Sequence, residues 1–339
     1  MSSRLEQLLH ARRLTGLLDA YAGLGLLRAG LRAGLLEALR EPVTEAELAA
    51  RLNAAPDLLA AWLRAAEAQG FVRRHDGAFE LAPFTRWLLD ASEAPALRAL
   101  LDQAALGWAP RFEDLPRLLK GAERPVYGAS AEEGPRMATA WRFLEERAVR
   151  ALGHIPGVRN ARRVLDVGCG HGTMLAAFLA RYRDAQGVGV ERDLFVAEAA
   201  RRQLREAGVE RRGEIVAGDF MTADLHRGSF DLILVDNSLH YFSPAQHAAL
   251  FRRVLAHLSP GGVLALQTVV VSGDTLGRLL GGSSLAASFD LYLRCHRNLY
   301  GLPDLARVTA ELRDAGFSST GEVAVLPGGT SRYVWARTG

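Results

Sequence analysis

Short apolar runs alternate with amphipathic stretches over the C-terminal half of the chain. The apolar runs are Val164–Val167, Gln186–Val190, Gly213–Ala217, Phe230–Val235 and Val263–Val271. Apolar residues at helical spacing predict helices at Thr173–Tyr182, Leu194–Ala207, Pro244–Leu258 and Leu302–Ala315. Nearly continuous apolar runs are typical of strands that are buried on both faces. Strands that alternate with helices predict an α/β fold with a doubly wound parallel sheet.

The first apolar run leads into a turn with glycine at positions 168, 170 and 172. Glycine lacks a Cβ atom, so a ligand can approach such a backbone closely, and the start of the following helix offers free amide groups. Dinucleotide-binding folds use the different spacing G-x-G-x-x-G. Here Asp166 precedes the first glycine by two residues. Taken alone, this spacing also fits a tight strand–helix turn in another α/β domain.

Polar residues follow three further predicted strands. Glu191 ends the second strand, Asp219 and Phe220 follow the third, and Asp236 and Asn237 follow the fourth. Open α/β sheets bind their ligands at the carboxyl ends of the strands, and an acid after the second strand can accept hydrogen bonds from ribose hydroxyls. The sequence therefore predicts a nucleoside-type site at this edge.

The glycine turn, the acids at the strand ends and the Pro260-Gly261-Gly262 turn before the fifth strand resemble class I S-adenosylmethionine (SAM) methyltransferases over about residues 158–339. The resemblance implies that SAM is the cofactor. It implies contacts of the glycine turn with the ribose and methionine parts, of an acid with the ammonium group, and of a carboxylate and an apolar side chain with adenine. The residues that it assigns to the cofactor are Asp166, Gly168, Gly170, Glu191, Asp219, Phe220, Asp236 and Asn237.

The first hundred residues have a different pattern. A long apolar helical stretch, Leu17–Leu39, contains four glycines, and Thr44 to Glu47 reads as a capping box. A helix at Pro56–Gln69 precedes a hairpin whose turn is Asp76-Gly77. Helix, helix and hairpin together predict a winged-helix domain over residues 1–100.

A winged helix raises the question of DNA binding. The predicted recognition helix carries a single arginine, Arg64, whereas a helix that reads DNA normally presents a basic stripe. The small-molecule O-methyltransferases that the chain resembles carry such a domain for dimerisation. We therefore expect a homodimer with no nucleic-acid partner. A non-catalytic SAM-sensing or DNA-binding regulator is the alternative from a different class.

Residues 101–157 are interrupted by prolines and rich in aromatic side chains, and we expect them to form a linker and an active-site lid. In the resembled family this segment supplies walls of the acceptor pocket, a role that suits aromatic and methionine side chains. Ordinary interdomain core is the competing interpretation. The candidates are Trp108, Tyr127, Met137 and Trp141.

Two histidines are candidates for chemistry. His240 follows the fourth strand, where the resembled O-methyltransferases place a general base, and imidazole suits that task. The usual next residue is Asp, but this chain has Tyr241, so both are predicted as catalytic residues. His296 resembles a position at which α-keto acid C-methyltransferases use two histidines to hold a metal. Two distant histidines do not define a metal site by spacing, so no metal is assigned and His296 is placed in the substrate pocket.

These features predict methyl transfer to a small molecule of secondary metabolism. Two alternatives stay open. A SAM cyclase would use the amine of SAM itself as nucleophile and form azetidine-2-carboxylate and methylthioadenosine. A metal-dependent α-keto acid C-methyltransferase would use His240 and His296.

Composition is compatible with a cytoplasmic enzyme. The chain has 339 residues, a formal net charge of +3 and only two cysteines, too few for a disulfide framework. No uninterrupted apolar run has the length of a membrane span, and the polar start, Met1–Arg13, does not resemble a signal peptide. We expect no membrane partner.

Overall fold

The computed structural model describes residues 4–128, 132–225, 230–271, 282–326 and 328–339. The chain divides into two compact units, residues 1–106 and 107–339. None of the described helices combines the length and apolarity that crossing a bilayer requires.

The first unit is mostly helical. Its elements are α1 (Arg4–Arg32), α2 (Leu35–Ala38), β1 (Val43–Thr44), α3 (Glu45–Leu52), α4 (Pro56–Ala68), β2 (Val72–His75), β3 (Ala78–Leu81), α5 (Pro83–Asp90) and α6 (Ala94–Asp102). The strands form an antiparallel sheet in the order β1-β3-β2. A π-helical turn follows at Gln103–Trp108.

The local signals in this unit are confirmed. The Thr44 hydroxyl accepts from the Glu47 backbone amide, and the Glu47 carboxylate accepts from the Thr44 amide at 3.0 Å, so both halves of the capping box are present. Asp76 and Gly77 have φ values of 48° and 81°, the positive values that a two-residue hairpin turn favours.

The second unit begins with α7 (Ala109–Glu113), α8 (Leu115–Leu118) and α9 (Glu133–Leu152). Its strands are β4 (Arg163–Val167), β5 (Gln186–Glu191), β6 (Gly213–Ala217), β7 (Phe230–Asp236), β8 (Leu258–Val269), β9 (Ser319–Ala324) and β10 (Ser331–Arg337). The intervening helices are α10 (Thr173–Arg181), α11 (Leu194–Glu206), α12 (His247–His257), α13 (Gly282–Arg294) and α14 (Leu305–Asp314), with 3-10 turns at Val158–Asn160 and Leu239–Tyr241.

The strand order of the large sheet is β6-β5-β4-β7-β8-β10-β9, and among the described strands only β10 runs antiparallel to its neighbours. The winding direction reverses between β4 and β7, so a crevice opens there at the carboxyl edge. The predicted doubly wound sheet with a helical N-terminal region is confirmed. β8 starts at Leu258, earlier than the predicted Val263, because Leu258 already pairs with Phe230 before an irregularity in the ladder.

Each face of the sheet has its own apolar core. Side chains from α9, α10 and α11, among them Leu152, Phe178 and Leu204, pack on one face. Side chains from α12 and α14, among them Phe251 and Leu312, pack on the other face. This layering fixes the strand ends, and with them the residues that follow each strand.

The glycines of α1 serve different purposes. A Cβ at Gly30 would lie 2.5 Å from Cζ2 of Trp62, whereas a Cβ at Gly25 would meet nothing within 4 Å. Gly34 ends the helical stretch with a φ of 72°. The close contact between α1 and α4 therefore depends on the missing side chain at Gly30.

Substitution of Gly30 and of Gly25 by Ala should have opposite effects. Gly30→Ala should destabilise the first unit by about 1–3 kcal/mol, because the Trp62 ring must move out of a packed site. Gly25→Ala should stabilise it by about 0.5–1 kcal/mol, since alanine restricts the unfolded chain. Guanidinium denaturation measures both, and a loss of stability in both variants would contradict the packing assigned to Gly30.

Candidate cofactor and acceptor site

The glycine turn lies at the carboxyl end of β4. Gly168, Gly170 and Gly172 all have positive φ, at 67°, 54° and 73°. A Cβ at Gly168 would lie 3.1 Å from Cβ of Ser238, whereas a Cβ at Gly170 would meet nothing within 4 Å. Packing against Ser238 therefore requires a glycine at position 168, whereas Gly170 faces open space that a ligand can enter.

Glu191 is held at the end of β5 beside this turn. One carboxylate oxygen accepts from the Gly170 amide at 3.0 Å and the other from the Asp193 amide at 2.9 Å. Each oxygen keeps a further lone pair, so the carboxylate can still accept from a ligand's hydroxyl groups. This geometry suits a ribose diol above the turn.

The residues after β6 have separate positions. Asp219 is exposed and accepts from the Met221 amide at 2.8 Å. Phe220 is only 4% exposed, because its ring packs into the core beneath α12 with the Arg253 guanidinium above it at 5.2 Å. Phe220 thus offers little surface to an adenine ring, and the half-buried Met221 is the better candidate for that contact.

Oxygen atoms without partners collect on one face of the sheet. Neither carboxylate oxygen of Asp166 has a hydrogen-bond partner among the described residues, and the same holds for Oδ1 of Asp236, Oε1 of Gln267 and the Tyr333 hydroxyl. Asp236 pairs in register with Gln267, and Gln267 with Tyr333. Buried polar atoms are normally satisfied, so this row indicates a place for a ligand's hydrogen-bond donors.

Electrostatics at this row favour a bound cation. Burial raises the pKa of Asp236 to about 7, with a contribution from the negative charge of Glu145. Burial, with Asp236 and Glu191 nearby, also raises the pKa of Asp166 well above its ordinary value. An ammonium group would compensate these carboxylates. The residues present therefore fit the amino-acid end of SAM. Asn237, with a φ of 47°, turns the chain after Asp236.

His240 lies on the 3-10 turn that follows β7. Its ring packs against Tyr241 at 4.8 Å and against Phe289 at 6.3 Å, between ring centres. Burial lowers the pKa of His240 to about 4, so the imidazole is neutral near pH 7. Tyr241 is 39% exposed and its ring meets the edge of Tyr127 at 6.2 Å. Although part of the side chain is exposed, desolvation of its hydroxyl raises the pKa of Tyr241 well above the ordinary value, so the phenol stays protonated.

The predicted pocket aromatics gather around α13. Trp108 lies 6.4 Å from Phe289 and Trp141 lies 5.7 Å from it, between ring centres. Met137 and Tyr127 join the same cluster, which also contains Tyr292. Among the described residues, the buried indole nitrogen of Trp108 has no hydrogen-bond partner, so it can donate to a ligand. The four candidates from residues 101–157 thus meet in one cluster within the second unit.

Sequence reasoning missed Phe289 and Tyr292, although they are the centre of this cluster. Together with Leu293 and His296 they recur at helical spacing in the stretch that ends at Arg294 and its following turn. That periodicity was a usable signal, because it predicts one apolar helix face.

Both ring nitrogens of His296 are engaged. Nδ1 donates to the Tyr292 carbonyl at 2.9 Å, and Nε2 accepts from Nε of Arg111 at 3.2 Å. The Glu133 carboxylate lies 3.8 Å from Nε2 and accepts instead from the Tyr292 hydroxyl at 2.7 Å. A guanidinium occupies the lone pair that a metal would need. His296 is therefore a structural link in the pocket wall, and the metal-pair alternative has no support here.

Comparison with known proteins agrees with this geometry. Residues 164–262 match the family described as "Methyltransferase domain". Trans-aconitate 2-methyltransferase from Delftia acidovorans is 33% identical over 129 residues, 37% of this chain and 46% of that protein. The 3-hydroxy-5-methyl-1-naphthoate 3-O-methyltransferase of Streptomyces sahachiroi is 28% identical over 206 residues, 60% of this chain and 57% of that protein. The chain spans about half the length of the curated relatives it matches.

Solved structures resemble the whole chain. An O-methyltransferase family protein from Burkholderia thailandensis has a TM-score of 0.79 at 20% identity, covering 100% of this chain and 98% of that one. The mitomycin 7-O-methyltransferase MmcR has a TM-score of 0.77 at 20% identity, covering 99% of this chain and 100% of the other. The chain thus contains a methyltransferase domain with the class I fold. The methyl donor of that class is SAM, and the product S-adenosylhomocysteine (SAH) is present in a similar structure, that of CalO1.

The ligand-free protein should lose stability as the pH rises, partly because of Asp236. Its folded pKa, about 7, lies above the ordinary value of 3.8, so the native state binds more protons than the unfolded chain between these values and stability falls there. Asp236→Asn removes this pH-dependent contribution to the stability of the folded protein. Its melting temperature relative to the native protein should therefore be higher at about pH 8 than at about pH 5.

Calorimetric melting of the ligand-free protein at both pH values measures this effect. Asp219→Asn is the matched control, because Asp219 is exposed. An Asp236→Asn variant with a pH-independent melting difference would contradict the raised pKa of Asp236.

Proposed function

We propose that this chain is a SAM-dependent methyltransferase that methylates a hydroxyl group of a small aromatic molecule. The observation that carries the proposal is the position of a neutral, half-buried imidazole, His240, on the turn that follows the strand ending in Asp236, whose Oδ1 has no partner among the described residues. The naphthoate O-methyltransferase among the relatives supports an aromatic hydroxyl acceptor. Synthesis of a secondary metabolite is part of the same proposal.

The donor side uses the carboxyl edge of β4, β5 and β7. Asp166 and Asp236 would accept from the ammonium group, and Glu191 would accept from the ribose hydroxyls above Gly168 and Gly170. Asp219 would accept from the adenine amino group. When bound, SAM supplies an electrophilic methyl group on its sulfonium. Charge-assisted hydrogen bonds of this kind are strong enough to fix the position of that group.

The acceptor side uses the aromatic cluster. Phe289, Trp108 and Tyr127 would hold an aromatic ring, and the free indole N–H of Trp108 would orient a polar substituent. His240 would take the proton of the acceptor hydroxyl as the oxygen attacks the methyl group, and the resulting imidazolium would later return that proton to water. Tyr241 would border the pocket as a neutral phenol. Positioning of two reactants in line supplies much of the rate in such a step.

Tyr241 replaces the acid that would normally orient the base, and this limits His240. Among the described residues no carboxylate contacts its ring, and its pKa of about 4 makes it a weaker base than an ordinary histidine. Acid–base catalysis contributes about 10²–10⁴-fold in general. We place His240 at the lower end of that range, with most of the acceleration coming from positioning.

His240→Ala should slow methyl transfer about 10²-fold and leave the affinity for SAH nearly unchanged, because a base acts on the acceptor. Liquid chromatography of reactions with SAM and a panel of hydroxylated aromatics measures SAH formation, and calorimetry measures SAH binding. His75→Ala, which changes an exposed histidine in the first unit, is the matched control.

Methylthioadenosine formed from SAM without an acceptor would replace this proposal with the cyclase alternative. Loss of activity on chelation would revive the metal alternative. A fully active His240→Ala variant would remove the base role.

We also propose that the first unit is a winged helix that pairs two chains into a homodimer. All residues of α1 up to position 22 are exposed. Its large apolar side chains there are between 56% and 77% exposed; they are Leu5, Leu8, Leu9, Leu14, Leu17, Leu18 and Tyr21. These exposed side chains overlap the predicted apolar stretch, Leu17–Leu39, only at its start. Further along that stretch, Leu27, Leu35 and Leu36 lie in the unit's own core.

The distribution around α1 supports a partner that covers the helix on more than one side. At 3.6 residues per turn, Leu14, Leu17, Leu18 and Tyr21 share one face, and Leu5, Leu8 and Leu9 lie on the opposite face. Exposed apolar patches on both faces of one helix mark an interaction site. A second copy of α1 matches it in character, whereas α4, with Arg64 as its only arginine, has little to offer DNA.

The double substitution Leu14→Glu and Leu17→Glu should convert the dimer to a monomer, because it places charges within the apolar contact. Light scattering at micromolar concentration measures the mass. Leu58→Glu is the matched control, since Leu58 is 70% exposed on α4, and it should remain dimeric. A native protein that is already monomeric would contradict the homodimer.

A further inference from the structure

A pocket of about 360 Å³ lies in the second unit next to His296. Its wall is strongly charged, with four arginines and two acids: Arg111, Asp114, Arg117, Glu123, Arg124 and Arg297. The methyl-transfer chemistry proposed above does not require any of these six side chains. Their arrangement, however, is selective for one sign of charge.

Each acid in the wall already has an arginine partner. Both carboxylate oxygens of Asp114 accept from Arg117, at 2.8 and 3.1 Å. Glu123 accepts from Arg297 at 3.0 Å. Among the described residues, Arg111 and Arg124 form no ion pair. Two guanidinium charges are therefore left to attract an anion into the pocket.

Arg111 is also fixed in orientation. Its Nε donates to Nε2 of His296, and Nδ1 of His296 is in turn tied to the Tyr292 carbonyl. The imidazole is fully buried, so it anchors the inner edge of the guanidinium and leaves both terminal nitrogens for other partners. A planar guanidinium with free terminal N–H groups matches the two oxygens of a carboxylate.

The pocket and the aromatic cluster share one segment of chain. Pro125 and Val126 line the charged pocket, and the next residue, Tyr127, contacts both His296 and Tyr241. The Arg297 amide donates to the Pro125 carbonyl at 3.0 Å and holds this segment in place. An anion bound between Arg111 and Arg124 would thus lie beside the segment that carries Tyr127.

We propose that Arg111 and Arg124 bind a carboxylate of the methyl acceptor, so that the enzyme selects hydroxylated aromatic acids over neutral phenols. This inference rests on the proposed function. The carboxylate would be held by the two arginines, and the ring would extend past Tyr127 so that its hydroxyl reaches His240. The two arginines are specificity-determining residues and take no part in proton transfer.

Fluorescence titration with 6-hydroxy-2-naphthoate and with 2-naphthol tests the inference, because the second compound lacks only the carboxylate. The full chain saturated with SAH should bind the naphthoate at least about tenfold more tightly than 2-naphthol, the scale of a charge-assisted hydrogen bond. Arg124→Gln and Arg111→Gln should each remove most of this preference and leave the affinity for 2-naphthol unchanged.

Two further variants sharpen the result. Arg111→Lys should recover only part of the preference, because an ammonium keeps the charge and loses the planar fork. Arg211→Gln, which removes an exposed arginine near β6, is the matched control and should bind both compounds normally. Melting temperatures show whether Arg111→Gln still folds, and Arg124→Gln provides an independent test.

Equal affinity of the native protein for both compounds would overturn the inference. A preference that survives in both glutamine variants, or a naphthoate dissociation constant weaker than about 1 mM, would also overturn it. Calorimetry with SAH alone separates this failure from that of the proposed function. A protein that binds SAH without preferring the carboxylate fails only here, and one that does not bind SAH fails as a methyltransferase.

Discussion

The site depends on carboxylate oxygens that the fold buries without partners among the described residues, both oxygens of Asp166 and Oδ1 of Asp236. Asp166 lies within β4 and Asp236 ends β7, the two strands between which the sheet reverses its winding direction. Burial without a hydrogen bond opposes folding, and the apolar layers on both faces of the sheet offset it. The same burial makes this edge a strong site for a cation, because a bound ammonium restores the missing interactions.

The residues around the turn after β7 determine the basicity of His240, the proposed base. His240 has aromatic neighbours and no carboxylate among the described residues, so its imidazole is neutral and weakly basic. Its protonation state therefore does not change near neutral pH. In the proposed reaction the cluster around Phe289 would orient the acceptor, and that positioning would supply much of the rate.

His296 has a structural role, although an imidazole could also act in catalysis or bind a metal. Its two ring nitrogens connect the Tyr292 carbonyl of α13 to the Arg111 guanidinium, which lies at the edge of the charged pocket. The imidazole contributes shape and hydrogen bonding rather than reactivity. The charged pocket and the aromatic cluster are thereby linked through one buried ring.

Local signals in the sequence determined much of this protein. The apolar runs, the glycine turn and the capping box at Thr44 predicted the strands, the ligand edge and a helix start, because each depends on neighbours within a few residues. Contacts between distant segments decided the rest. Phe220 is buried in the core under α12, and the missing side chain of Gly30 makes room for Trp62. His296 accepts a hydrogen bond from Arg111, 185 residues away along the chain. Such pairings arise only when the folded sheet and helices bring those segments together, so no local pattern encodes them.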